Sequence, residues 1–465
     1  MVKLSQNVVA GCRPQAFCYP YIIHASFKDK DKVNGTEEFE VWKCNGQSTK
    51  PTLVSTLQGE FPAKHDISFL TNRFLLTTSR LPDHVIRLLI HRVGDGALTD
   101  VMTLTGASGE RLPSSFPNQS QVYYTPVMQA GDSTLLGFSE GLIAVLRIGV
   151  TLNALDTVVE VYGVTDDGKL VKKNVLRLVH DHSLGVSWIP TTWEPPALVL
   201  LYSTQFIGAV ALGTDCGVHL MRWDSDSGTN RPGHARFPPR LSVDANEEDN
   251  YTSILRSRIV LSPPFNAFLM AHSEGLAVEN SSPYTTLRSV DTSTLEVKWC
   301  NEHEQDLLSL EVHEELGMLL MFGRDQVTLY VTILDLRTGS ILRREGGDIS
   351  SGLVSVRVSL TRELILVKDN GSITILLLPD FVRYGYALTI DDSDGSEGSD
   401  CNSDSSETSQ LQTESRNQHV VALIPPLDLN RTMAENIWVG STSYGGSVLL
   451  IGDEQGARYY LFTWK

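Results

Sequence analysis

Residues 327–345 read VTLYVTILDLRTGSILRRE. Apolar and polar residues alternate up to Asp335, the short corner Leu336-Arg337-Thr338-Gly339 interrupts them, and a second alternating run follows. A period of two sends successive side chains to opposite faces of a strand. Two such runs around a glycine-containing corner mark a β-hairpin. Whether this hairpin stands alone or repeats decides the fold, because a chain of 465 residues exceeds one ordinary core and holds either several domains or a repeat array.

The pattern repeats. TLRSVDTSTLEVKWC places Asp291 where the hairpin has Asp335, and SITILLLPDF places Asp380 in the same role, at intervals of 44 and 45 residues. A period near 45 residues corresponds to four strands with their turns, the unit of a propeller blade. A second marker, Ser-Glu-Gly-Leu, occurs in LLGFSEGLIAV (135–145) and FLMAHSEGLAV (268–278), where Ser139 and Ser273 lie 134 residues apart. Related runs are LLYSTQFIGAV (200–210), LLMFGRDQVTLYV (319–331), ILVKDNGSITILLL (365–378) and LLIGDEQGARYYLF (449–462). Weaker copies sit in LLTTSRLPDHVIRLLIHR (75–92) and IIHASFKDKDKVNGTEEFEVWKC (22–44). Each reads as the hairpin joining the second and third strands of a blade.

Helical periodicity is nearly absent, and prolines and glycines are spread along the chain rather than gathered into linkers. The expected fold is an all-β, seven- or eight-bladed β-propeller of four-stranded antiparallel blades, with the hairpin count favouring eight. It is expected to form one domain over 15–465. The final run ARYYLFTWK reads as a third strand, so residues 1–14 are expected to supply a closing strand that leaves no free edge. Residues 391–416 hold eight acids, one base, one leucine and no aromatic residue. Such a segment cannot repay the entropy of ordering and is predicted to be a disordered acidic, serine-rich loop. Its serines would gain charge if phosphorylated; otherwise it is a solvated spacer. DANEED (244–249) reads as a similar surface excursion.

Hydrophobic content of 41% and charged content of 20% are those of a chain that buries a large core. The net charge of -17 repels phosphate backbones and anionic membrane surfaces, so neither nucleic acid nor membrane is an expected partner. The short basic clusters Lys169 to Lys173 and Arg343-Arg344 read as solvated strand faces. Cys12, Cys18, Cys44, Cys216, Cys300 and Cys401 form no C-x-x-C pair, which leaves no readable zinc framework. The N-terminal MVKLSQNVVAGCRPQ lacks a secretory apolar run, and no stretch of about 18 apolar residues occurs. A cytoplasmic or nuclear location with free thiols is expected. The six N-x-S/T sequons, at Asn34, Asn118, Asn250, Asn280, Asn370 and Asn430, read as polar turns.

Several motifs look chemical. Gly137-Phe138-Ser139-Glu140-Gly141 satisfies G-x-S-x-G, but a nucleophile elbow needs a helix after the serine, and LIAVLRIGV stands there instead. His180-Asp181-His182 puts two imidazoles on one strand face, without a second ligand cluster at a recognisable spacing. HEEL at His313 and HEQD at His303 lack the second histidine of a zincin. In the acidic segment, Gly395 at the sharp-turn position of a calcium loop would make Ile390 and Cys401 ligands, and neither can serve. Trp223-Asp224 is a lone WD dipeptide, and Gly233-His234 comes after it rather than before it. No catalytic, cofactor-binding or metal residue is assigned, and no cofactor is expected.

The corner Asp335 to Gly339 resembles the D-x-x-T-G corner of quinoprotein-like and related propellers. The strands HDISFLTNRFLLTTS, HVIRLLIHRV and VTILDLRTGSIL resemble a degenerate WD40-like propeller of the kind found in fungal F-box-type proteins. That resemblance implies substrate recognition for a ubiquitin ligase. The segment before the first blade, shorter than about 20 residues, holds no F-box.

The leading expectation is a monomeric, non-enzymatic scaffold that binds a protein partner through loops at one end of the ring. WIPTTWEPP (188–196) is a candidate loop. The alternative is a propeller hydrolase or lactonase with a metal in the central channel, which would need four or more convergent polar side chains there. An inert structural paralogue is a third reading.

Overall fold

The computed structural model describes residues 5–10, 14–27, 37–44, 51–58, 65–80, 86–104, 121–126, 128–129, 142–150, 154–181, 197–202, 205–212, 217–224, 233–237, 252–276, 283–291, 293–359, 361–386, 388, 420–441, 446–453 and 458–464. Among them the strands fall into eight sheets, and the molecule is a β-propeller. Numbered along the chain, sheet 1 runs from Pro14–Cys18 to Thr52–Thr56 and sheet 2 from His65–Phe69 to Leu98–Leu104. Sheet 3 runs from Gln121–Pro126 to Leu170–Asp181, and sheet 4 from Ala197–Tyr202 to Gly233–Phe237. Sheet 4 carries a fifth strand, Met128–Gln129, paired parallel to Ala197–Tyr202. Sheet 5 is Thr252–Ser262, Ala267–Leu276, Tyr284–Asp291 and Val297–His303; sheet 6 is Asp306–His313, Met318–Arg324, Thr328–Asp335 and Ile341–Asp348. Sheet 7 is Leu353–Val358, Glu363–Lys368, Ile373–Leu377 and Val420–Ile424. Sheet 8 is Ile437–Ser441, Ser447–Gly452 and Arg458–Trp464, with Ser5–Ala10 antiparallel to Arg458–Trp464 as its outer strand. The N-terminal strand thus stands in the position that ARYYLFTWK leaves open.

The core is built where continuous apolar strands send successive side chains to opposite faces. In the second strand of sheet 6, Leu319 and Met321 pack toward sheet 5 beside Leu269 and Leu287, while Leu320 and Phe322 pack toward sheet 7 beside Leu364 and Leu366. Sheet 7 repeats this: Leu364 and Leu366 face sheet 6, and Ile365 and Val367 face sheet 8. Both faces of these strands are buried, each large side chain contributing about 1.5–3 kcal/mol. The same packing joins sheet 8 to sheet 1, through Val448, Leu450 and Leu461 against Phe17 and Ile22.

The corners obey one rule with local variants. Asp335 Oδ1 accepts from the backbone of Arg337 (3.0 Å) and Thr338 (2.8 Å), and Asp291 Oδ1 accepts from Ser293 (2.8 Å) and Thr294 (3.0 Å). Each corner closes with a backbone bond back to its first residue, from Gly339 to Asp335 and from Leu295 to Asp291. Gly339 and Leu295 are both left-handed, at φ 71° and 61°. In sheet 2 the equivalent corner is Arg92–Ala97, closed by Gly96.

Asp380 does not hold this position. In sheets 2 and 6 the residue after the third strand's end donates to the corner between the first and second strands, Val93 to Arg73 and Leu336 to Gly317. In sheet 7 the donor is Leu378, to Arg362, so Leu377 rather than Asp380 matches Asp335. Asp380 lies in the first turn of helix α1, Leu378–Tyr384, because Pro379 preorganises the helical φ at its start.

The Ser-Glu-Gly-Leu marker also fails as a register. Leu142 opens the second strand of sheet 3, Leu142–Val150, whereas Leu276 closes the second strand of sheet 5. Ser273 is inside that strand and fully buried. A hydrogen-bond chain explains the polar residue there: Leu307 N–H donates to Ser273 Oγ (2.8 Å), Ser273 and Thr285 hydroxyls pair (2.7 Å), and Thr285 donates to the Gln305 carbonyl (2.5 Å). The chain stitches sheet 5 to the start of sheet 6. LLYSTQFIGAV likewise joins the first and second strands of sheet 4, not the second and third. The acidic segments 391–416 and 244–249 lie outside the described residues, and no described helix is long and apolar enough to cross a membrane.

Candidate functional site

Most motifs that looked chemical resolve into architecture. Gly137 to Gly141, His182 and WIPTTWEPP lie outside the described residues. The G-x-S-x-G string leads directly into a strand, Leu142–Val150, and not into a helix. His180 and Asp181 end the outer strand of sheet 3, and Trp223-Asp224 ends the third strand of sheet 4, Gly217–Asp224. His303 and His313 are both buried at strand ends. Burial, reinforced by the nearby Arg344 charge, pushes His303 down to about 4. His313 Nδ1 accepts from the backbone of Leu316 at 3.3 Å and so caps a corner. Among the described residues no group of three or more His, Cys, Asp or Glu converges. On the first strands, Arg357 of sheet 7 donates to Glu311 of sheet 6 at 2.9 Å, and the backbone of Val358 donates to the same carboxylate at 2.7 Å.

The basic clusters are engaged locally. Lys169 Nζ donates to the Thr99 carbonyl at 2.8 Å, and Lys172 lies over the Tyr162 ring. Arg343 Nε donates to Glu345 at 2.6 Å.

Arg344 leads to a different kind of surface. Its guanidinium stacks on Tyr330, 4.2 Å from the ring centroid, and reaches Gln305 Oε1 at 3.4 Å. The Tyr330 hydroxyl donates to Asp325 Oδ2 at 2.8 Å. Asp325 Oδ1 in turn accepts from the backbone of Val327 (2.9 Å) and Thr328 (2.7 Å), which fixes the corner between the second and third strands of sheet 6. Burial works to raise the Asp325 pKa, but these hydrogen bonds outweigh it and hold the carboxyl below its ordinary range. The corner is therefore ordered by its own charges.

The same end of sheet 6 carries two uncovered apolar side chains. Val327 is 66% exposed and Ile349 42% exposed. Ile349 N–H donates to the Val327 carbonyl at 2.9 Å, which continues the Thr328–Asp348 pairing by one step and sets the two residues opposite each other. Asp348 Oδ1 accepts from Ser350 N at 2.7 Å and so holds the short 3-10 turn Ile349–Ser351. Sequence reading found neither pair: Val327 opens the quoted stretch and reads as one more strand residue, and a cation–aromatic stack between third and outer strands has no spacing signature. The one available signal was the mixture of Tyr, Arg and Val around a turn.

No protein-family model matches the chain, and no curated protein matches it. Among solved structures it is similar to the C-terminal WD40 domain of Sif2, with 10% sequence identity and a TM-score of 0.50, over 100% of this chain and 98% of that one. It is likewise similar to the Dos1 propeller, with 11% identity and a TM-score of 0.50, over 99% of this chain and 95% of that one. At these identities the likeness establishes the propeller fold alone.

Proposed function

We propose that this chain is a non-enzymatic β-propeller scaffold that binds another protein, as a monomer, through the corner face of sheets 5 to 7. The observation that carries the reading is the ordered Tyr330–Arg344 stack at an end of sheet 6 that also exposes Val327 and Ile349. Aromatic and arginine anchors dominate protein interfaces, and anchors already ordered by their neighbours lose little entropy on binding. The finer form of the reading is substrate recognition for a ubiquitin ligase in the cytoplasm or nucleus; what supports it is the strand style shared with fungal F-box-type propellers.

The test is affinity purification of the tagged full chain from its native organism with mass spectrometry, in parallel with a Tyr330→Ala/Arg344→Ala variant. Partners recovered with the wild type and lost with the folded variant are expected. Recovery of the bait alone would overturn the scaffold reading, and partners lacking any ligase adaptor would remove its finer form.

A further inference from the structure

We propose that Val327 and Ile349 anchor a cationic segment of the partner: an apolar side chain sits on the pair, and flanking Lys or Arg residues face Asp325, Asp348 and Asp369. This deepens the scaffold reading and rests on it.

The place of the pair in the sheet comes first. Leu329 and Val331 face sheet 7, and a period of two puts Val327 on that same side. Below it Gly347 meets Leu388, so closely that a Cβ on Gly347 would lie 2.6 Å from the Leu388 Cβ. The pair therefore crowns an apolar column that is buried beneath and open above. Other exposed large apolar residues among those described lie elsewhere: Leu53, Leu98, Val101, Val171, Val297, Ile341, Leu342 and Leu423 on outer strands, and Leu377 and Tyr384 at the two ends of helix α1.

Charge then selects the occupant. Asp325 bonds the backbone of Val327, Asp348 precedes Ile349, and Asp369 Oδ1 would lie 2.6 Å from a Cβ on Gly352, three residues beyond Ile349. Of the arginines of the same corners, Arg344 is engaged on Tyr330, on the face toward sheet 5, and Arg324 stands 4.0 Å from Asp306 of its own sheet, which offsets its charge. Lys368 precedes Asp369 and offsets part of that carboxylate. The whole chain carries -17, so the long-range field draws cationic partners and repels acidic ones.

The experiment uses the full chain and short fluorescein-labelled peptides with a central leucine flanked by lysine and arginine, against matched peptides flanked by serine or glutamate. Anisotropy titrations are expected to show binding of the cationic set alone, weakening with added salt. Val327→Ser/Ile349→Ser and, separately, Asp348→Asn/Asp369→Asn should each weaken it by about tenfold or more, with unchanged circular dichroism. No binding, equal binding of all sets, or unchanged binding by both variants would overturn the proposal. So would wild-type self-association abolished in Val327→Ser/Ile349→Ser, which would make a second copy the occupant. If that variant still recovers the partners that Tyr330→Ala/Arg344→Ala loses, the scaffold reading stands and this anchor falls.

Discussion

Gly339 shows how much chemistry one corner residue carries. Its φ of 71° is a left-handed conformation, and a Cβ there would lie 2.6 Å from the Trp299 indole, which itself donates from Nε1 to the Leu336 carbonyl at 3.2 Å. Gly339→Ala combines left-handed strain with displacement of Trp299, so a loss of about 2–3 kcal/mol is expected. Urea denaturation would measure it, and a midpoint within error of the wild type would refute the account. Corner residues of this kind were legible in sequence because Asp335, Thr338 and Gly339 act locally, through hydrogen bonds two and three residues away. Ser273 was not. A serine among apolar residues looks like a turn, and only the distant partners Thr285 and Leu307 reveal a buried strand position. Tyr330 and Arg344 failed to appear for the same reason, since their meeting depends on strand register.

At the level of elements, the alternating strands were readable and their order within a sheet was not always so. A continuous apolar run marks a strand with two buried faces, yet it does not distinguish a first-to-second hairpin from a second-to-third one. LLYSTQFIGAV is the example: both kinds of hairpin join apolar runs through a short polar turn. Helix α1 was missed because seven residues are too short to express a helical period, although Leu-Pro-Asp is a helix start in chemical terms. The closing strand is the element whose removal should matter most. Ser5–Ala10 pairs with Arg458–Trp464 over six positions, from Ser5↔Thr463 to Ala10↔Arg458. Deleting residues 1–10 removes that ladder and uncovers an edge able to pair with another chain. A loss on the order of 3 kcal/mol is expected from the backbone bonds alone, together with self-association. A thermal scan with light scattering would check both, and a variant as stable and monodisperse as the full chain would show that the strand contributes nothing to closure.

Across the whole molecule, the packing that joins sheet to sheet buries several of the described histidines, among them His24, His91 and His303. Burial pushes His24 down to about 4 and His91 down to about 4, the latter against a smaller opposing hydrogen bond from Gly96; His303 stands at about 4 through burial and Arg344. All three are almost entirely buried, and Thr77 Oγ1 meets His91 Nε2 at 3.1 Å. The folded chain therefore holds them neutral where the unfolded chain, with ordinary imidazoles near 6.5, takes up protons. Above about pH 6.5 both states are neutral and the histidines leave stability independent of pH. As pH falls from 6.5 toward 4 the unfolded state gains protons first, and stability is lost at up to roughly 1.4 kcal/mol per unit for each histidine. The depressed carboxylates of Asp335, Asp291 and Asp325 act lower, their contribution being lost as pH falls through their own reduced pKa values. Urea midpoints measured from pH 8 to 4.5 should thus be level at the upper end and fall below about 6.5, before the carboxylates titrate. Replacing His91 with Asn, which keeps a partner for Thr77 without a titrating ring, should flatten the fall by the share of one histidine. Midpoints that stay level down to pH 5, or a slope that His91→Asn leaves unchanged, would mean that the junctions between sheets admit water and charge to these rings.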